Sequence, residues 1–177
     1  KYIDESVVKQ FEKETGITVK YEEYESPEEM YTKYKAGSIN YDVICSSEYM
    51  VERLINEGEV REEDYDAMDN YKTLDATILD MSASYDKNHT YSVPYFYGTL
   101  GLLYNKTTID AKTVSSWDCL WDPTYEDEII MENSVRDTFA PALISKGYSL
   151  NDTDENHLRE ALDVLKKQKD DKIVYAY

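Results

Sequence analysis

Apolar positions along the chain change period several times, and each change marks an element. From Asp4 to Gly16, Val7, Val8 and Phe11 recur at helical spacing, with acidic residues at the start and a glycine stop. Ile17-Thr18-Val19-Lys20-Tyr21 then reads as a strand. Ser26-Pro27-Glu28-Glu29 opens a second helix: Ser26 suits the cap, Pro27 the first helical position, and Glu29 the far side of a capping box. That helix is expected to end at Gly37. Tyr41-Asp42-Val43-Ile44-Cys45 is short and apolar, the pattern of a strand buried on both faces. It runs through Ser46-Ser47-Glu48-Tyr49 into a helix over Met50–Asn56, closed at Gly58. Alternation of helix and strand implies a parallel sheet with helices on its faces.

The middle of the chain is less regular. Residues 59–86 are acidic and weakly patterned, with short helical turns expected at Tyr65–Met68 and Thr77–Met81. Tyr91 to Lys106, YSVPYFYGTLGLLYNK, contains two extended runs interrupted by Pro94 and Gly98. Pro94 biases Val93 towards an extended backbone, and three successive aromatics, Tyr95, Phe96 and Tyr97, stand between the breakers. A buried tyrosine-rich hairpin and a crossing between two domains both fit this pattern. A second α/β set follows: a short helix over Val114–Trp121, a strand at Ile129–Met131, and a helix capped by Ser134 that carries Pro141 and stops at Gly147. A last helix has Leu158, Leu162 and Leu165 as its stripe, and a strand at Ile173–Ala176 closes the pattern. Pro141 is expected to kink its helix or remove a bond.

Composition narrows the class. The chain has 177 residues, 41% hydrophobic and 32% charged, with no apolar run of membrane-spanning length. A net charge of −18 excludes a nucleic-acid surface, whose phosphates would be repelled, and suits cationic partners. Tyrosine dominates the aromatics, 18 against 2 Trp and 3 Phe, and a ring with a hydroxyl suits either a cleft for amphipathic ligands or a core in which Tyr replaces Phe. Cys45 and Cys119 are isolated from each other and from histidine, so both are expected to be buried free thiols rather than metal ligands. The chain starts at Lys1 inside a helix-like pattern with no preceding strand, and a truncated or processed N-terminus is expected.

No dinucleotide fingerprint, P-loop, nucleophile elbow or metalloprotease helix motif occurs. His89 and His157 are far apart in polar company and are expected to face solvent. No catalytic residue, metal site or cofactor is implied. More informative are two junctions where a strand meets a helix, the usual ligand position in parallel sheets. One is Ser46 to Tyr49 and the other Glu132 to Asp137. Capping by Ser47 and Ser134, with Asp137 favouring the helix dipole, also accounts for them.

The ordered set YDVICSSEYMVERLINEG, SVPYFYGTLGLLYNK, SWDCLWDP, IIMENSVRDTFAPAL and GYSLND closely resembles the spermidine/putrescine-binding proteins of polyamine ABC importers, along essentially the whole chain. The resemblance implies an α/β, two-lobed type II periplasmic-binding-protein fold, here a partial chain with incomplete sheets. It places a first lobe over residues 1–94, a hinge crossing at 95–98 and a second lobe over 99–177. Its ligand is a string of methylenes and ammonium groups, recognised by aromatic faces and carboxylates. Ser47 and Tyr49 match first-lobe site residues, Asp137 matches an amine-binding carboxylate, and Ser134 falls where some relatives carry another acid. Tyr97 takes the place of a frequent Trp in the hinge segment, and Tyr95 is the next aromatic expected at the cleft. Relatives begin with a strand and an aromatic turn before this chain's first residue and continue beyond its last, so a fragment with part of the site is expected.

The resemblance also implies a permease as partner, a place outside the cytoplasmic membrane with or without a lipid anchor, and self-association of a fragment through open sheet edges. Two other functions remain open from the residues. One is a binding protein of the same fold for an iron complex, a sugar or an amino acid, for which Arg136 is the one candidate carboxylate partner. The other is an α/β enzyme whose catalytic residues lie outside this chain.

Overall fold

Asp4 accepts a hydrogen bond from the Ser6 backbone N–H, and with that cap the chain enters α1 (Glu5–Thr15), which Gly16 ends in the left-handed region at φ 72°. These coordinates are a computed structural model describing residues 3–177. The chain divides into two compact units, one ending at Tyr97 and the next starting at Gly98.

The first unit is built on α2 (Pro27–Lys35) and α3 (Glu48–Asn56), with α4 (Ala76–Ser82) further along. Ser26 Oγ accepts from Glu29 N at 3.1 Å, while the Glu29 carboxylate turns back to Glu25 N at 2.8 Å, one residue beyond the reciprocal partner of a capping box. Met30, Met50 and Leu54 are buried where the two helices meet, and Tyr24, Tyr31, Tyr34, Tyr41 and Tyr49 surround them together with Ile44 and Val60. Burial of each such side chain contributes roughly 1.5–3 kcal/mol before the entropy of ordering it is counted. Tyrosine rather than Phe suits this layer, because the ring covers the core while the hydroxyl finds a polar partner. Tyr31 donates to Glu57, Tyr49 to Glu28, and Tyr24 to the Cys45 carbonyl. Arg53 lies 3.8 Å over the Tyr31 ring and bonds Glu57 through Nε, while Lys35 joins Glu57 and Glu59.

The second unit holds β1 (Ile129–Ile130), α5 (Val135–Ser145), α6 (Glu155–Asp170) and β2 (Val174–Ala176), preceded by single-turn helices, among them Trp117–Trp121. β1 and β2 pair in parallel, Ile129 opposite Val174 and Ile130 opposite Ala176, with an irregular step between. Parallel neighbours need a long crossover, and α5 and α6 supply it. The core is Ala142 and Leu143 of α5 against Ala161 and Leu165 of α6, flanked by Trp121, Phe139, Tyr148, Leu158 and Val164. Ala161 and Leu165 make the buried stripe, and Leu162 faces outward instead. Pro141 cannot give an N–H to the carbonyl of Asp137, yet α5 runs unbroken through it and buries the ring.

The main correction concerns strands. Residues 17–21, 41–45, 91–93 and 99–104 join no ladder; among the described residues the β1–β2 pair is the only sheet. An apolar run becomes a strand only when a neighbour pairs with its backbone, and here side chains take some of those bonds. Glu12 Oε1 accepts from Val19 N at 2.8 Å, and Tyr24 reaches the Cys45 carbonyl. Val43, expected inside a doubly covered strand, is 87% exposed, and Cys45 is an exposed free thiol rather than a buried one.

Candidate functional site

The segment leading into the aromatic triplet is held by one carboxylate. Asp86 is only 2% exposed, and its oxygens accept from Thr90 N, Tyr91 N, Ser92 N and Ser92 Oγ, each at 2.9 Å. Burial alone would push this carboxyl up, but the N–H and hydroxyl donors together hold it below the usual carboxylate range. The other side of the segment is tied as well, since Glu63 N donates to Thr90 O at 2.8 Å and Tyr65 Oη to Ser92 O at 3.0 Å. Burial first, then the Asp86 charge, pushes the Tyr65 phenol up to about 12. The loop between turns through His89 at φ 48°, with its N–H on Asp86 O and its Nδ1 3.1 Å from the buried Ser82 Oγ. His89 is therefore engaged rather than free in solvent. Beyond the tied stretch the chain changes character: Tyr95 is 57% and Tyr97 71% exposed, with Tyr95 packed edge-on to Phe96 at 4.4 Å.

At the first junction Ser47 is the N-cap residue of α3, but its hydroxyl makes no capping bond. Its carbonyl takes the N–H of Met50 and Val51, so the helix starts without it and the exposed hydroxyl is left for other use. Tyr49 is half-buried against the Met30–Met50–Leu54 core and donates to Glu28 at 2.9 Å. Burial first, and then the Glu48 charge, raises the Tyr85 phenol.

At the second junction β1 ends, Met131 N donates to Ala176 O, and α5 begins four residues after Met131. Ser134 Oγ accepts from Asp137 N at 3.3 Å, so Ser134 does serve as a cap, while the Asp137 side chain is exposed in the first turn. Thr138 Oγ1 donates to Glu132 O at 2.7 Å and fixes the approach to the helix. Ser134 and Asp137 thus lie together in the second unit, and Ser47, Tyr49, Tyr95 and Tyr97 belong to the first. Asp86 escaped the sequence reading. The available signal was an acid followed by the polar turn Lys87-Asn88-His89 and then the extended pattern Thr90-Tyr91-Ser92-Val93, the setting in which a carboxylate can collect backbone N–H groups.

His157, expected in solvent, is instead a structural group: its Nδ1 is 2.9 Å from Asp152 Oδ2 and its ring stacks on Tyr148 at 3.8 Å. Among the described residues no cluster of three or more His, Cys, Asp or Glu side chains could hold a metal ion, and no helix is long and apolar enough to cross a membrane.

The chain belongs to the bacterial extracellular solute-binding proteins, whose family pattern matches residues 6–177. This is a family of transport binding proteins rather than of enzymes. Within it, the chain is 38% identical over 169 residues to the spermidine/putrescine-binding periplasmic protein of Salmonella typhimurium, covering 94% of this chain and 47% of that protein. It superposes at a TM-score of 0.88 on a Listeria monocytogenes protein provisionally described as a spermidine/putrescine ABC transporter, at 38% identity over 99% of this chain and 53% of the other. The Tp0655 lipoprotein of Treponema pallidum matches at a TM-score of 0.82 and 26% identity, over 94% of this chain and 52% of the other. The chain spans about half the length of the curated relatives it matches.

Proposed function

We propose that this protein captures polyamines such as spermidine and putrescine outside the cytoplasmic membrane and delivers them to an ABC permease. The observation that carries the reading is the 38% identity to a spermidine/putrescine-binding protein across 94% of the chain. The residues fit it chemically. A polyamine needs aromatic faces along its methylenes and carboxylates or hydroxyls at its ammonium groups. Tyr95, Tyr97 and Tyr49 are the aromatic members, Ser47 offers a hydroxyl not used in capping, and Asp137 offers an exposed carboxylate on a capped helix start. Ser134, already engaged by the Asp137 N–H, contributes through its remaining lone pair or a bridging water. Closure about residues 95–98 belongs to the same proposal. The lipoprotein relative supports a membrane-tethered place outside the cell or in the periplasm. Self-association through unpaired extended segments is a further part of the reading.

Calorimetric titration with spermidine and putrescine, alongside amino acids, sugars and ferric chelates, tests the reading. Saturable heat with the polyamines alone is expected. Binding of an amino acid or sugar with no polyamine signal would overturn it, and an amino acid would turn attention to Arg136.

A further inference from the structure

We propose that Asp86 is the positioning residue of the ligand site: it sets affinity by fixing the backbone from which Tyr95–Tyr97 emerge. The inference rests on the polyamine reading for its ligand and on the geometry for everything else. A carboxylate buried to this degree is retained only with a full set of donors, and all four of its donors come from three consecutive residues, Thr90 to Ser92. Pro94 follows two residues later with its φ fixed by the ring, so the direction given at Ser92 is passed on with little loss to Tyr95. The Glu63 N–H and the Tyr65 hydroxyl close the opposite side on the Thr90 and Ser92 carbonyls. The stretch from Thr90 to Ser92 is clamped from both flanks, and the exposed aromatics begin three residues after the clamp. Aromatics held this way forfeit less entropy when a ligand packs on them than aromatics on a free loop, and preorganisation of that kind appears as affinity.

Asp86→Asn is the informative change. It keeps size and one acceptor, but wherever its amide nitrogen points it faces donors rather than acceptors. Spermidine affinity is expected to fall about tenfold, amide exchange at Thr90, Tyr91 and Ser92 to accelerate, and protection elsewhere in the chain to stay as it was. A Tyr97→Trp reporter in the Asp86→Asn background, with no ligand present, is expected to lose fluorescence anisotropy relative to Tyr97→Trp alone. Faster exchange with unchanged spermidine affinity would reduce Asp86 to a structural residue and overturn the proposal, as would unchanged anisotropy of Trp at position 97. If the unaltered protein binds no polyamine, the polyamine reading fails and the anisotropy comparison decides the positioning role by itself. Should Asp86→Asn not fold, Ser92→Ala and Tyr65→Phe, each removing one bond from the same stretch, are expected to show the same effects in weaker form, and no effect from either would overturn the role.

Discussion

The imidazole of His157 bridges to the Asp152 carboxylate at 2.9 Å while lying flat on Tyr148, with the two rings 12° from parallel. The hydrogen bond to Asp152, and then its charge, raises the His157 pKa above the ordinary 6.5, even though the ring sits in the first turn of α6. A raised folded pKa makes its stabilisation fully present below about 6.5 and lost as pH rises through the folded value. Thermal scans from pH 5 to 9 should therefore show a decline across that window that Asp152→Asn flattens. Imidazole titration by NMR in the same variant should return His157 towards its ordinary value.

Glu57 carries the opposite dependence. Arg53, then the Tyr31 hydroxyl and Lys35, hold its carboxyl at about 2, well below the usual range. With a depressed folded pKa, the stabilisation is present above about 4.5 and lost as pH falls towards 2. Stability to denaturant should fall on acidification through that interval in the unaltered protein and fall less steeply in Glu57→Gln. The groups are open to solvent, so high salt should reduce the difference between the two.

One fully buried side chain in each unit tests its packing. Met30→Ala and Leu143→Ala remove fully buried volume from the first and second cores, and each should cost about 2–5 kcal/mol in urea unfolding. Leu162→Ala, on the outward side of α6, should cost less than about 1 kcal/mol.

Two changes at the start of α5 test the ligand chemistry. Asp137→Asn should weaken spermidine binding about ten- to hundredfold, the range of a charged hydrogen bond lost. Ser134→Asp keeps a good cap residue and adds an anion three residues before Asp137. It should tighten spermidine by about three- to tenfold without lowering the melting temperature. Both effects are read by calorimetry against putrescine as reference.

Local signals were legible in the sequence and pairwise ones were not. Caps at Ser26 and Ser134 and stops at Gly16, Gly37 and Gly147 lie where residue type demands them, because each depends on neighbours within four positions. The run Tyr41–Cys45 looked equally decisive, but a strand is a property of two segments, and its apolar pattern cannot specify a partner. The Ser134–Asp137 pair could be located by spacing. Ser47 could not be told from an ordinary cap, since only geometry reveals that its hydroxyl makes no capping bond. His157 and Asp86 were misjudged or missed for one reason: both are side chains that serve backbone or neighbouring groups across a turn, and composition labels them as surface.

The pairing of Met30 and Met50 at the centre of the first unit has a chemical consequence. A thioether is a soft target for peroxide, and both lie where oxidant has no access while α2 and α3 stay together. Sulfoxide at either position records an opening event, because the polar product cannot be accommodated again in that core. The rate at which the two methionines oxidise is thus a clock for how often this half of the molecule breathes, readable by mass in a protein that works outside the reducing cytoplasm.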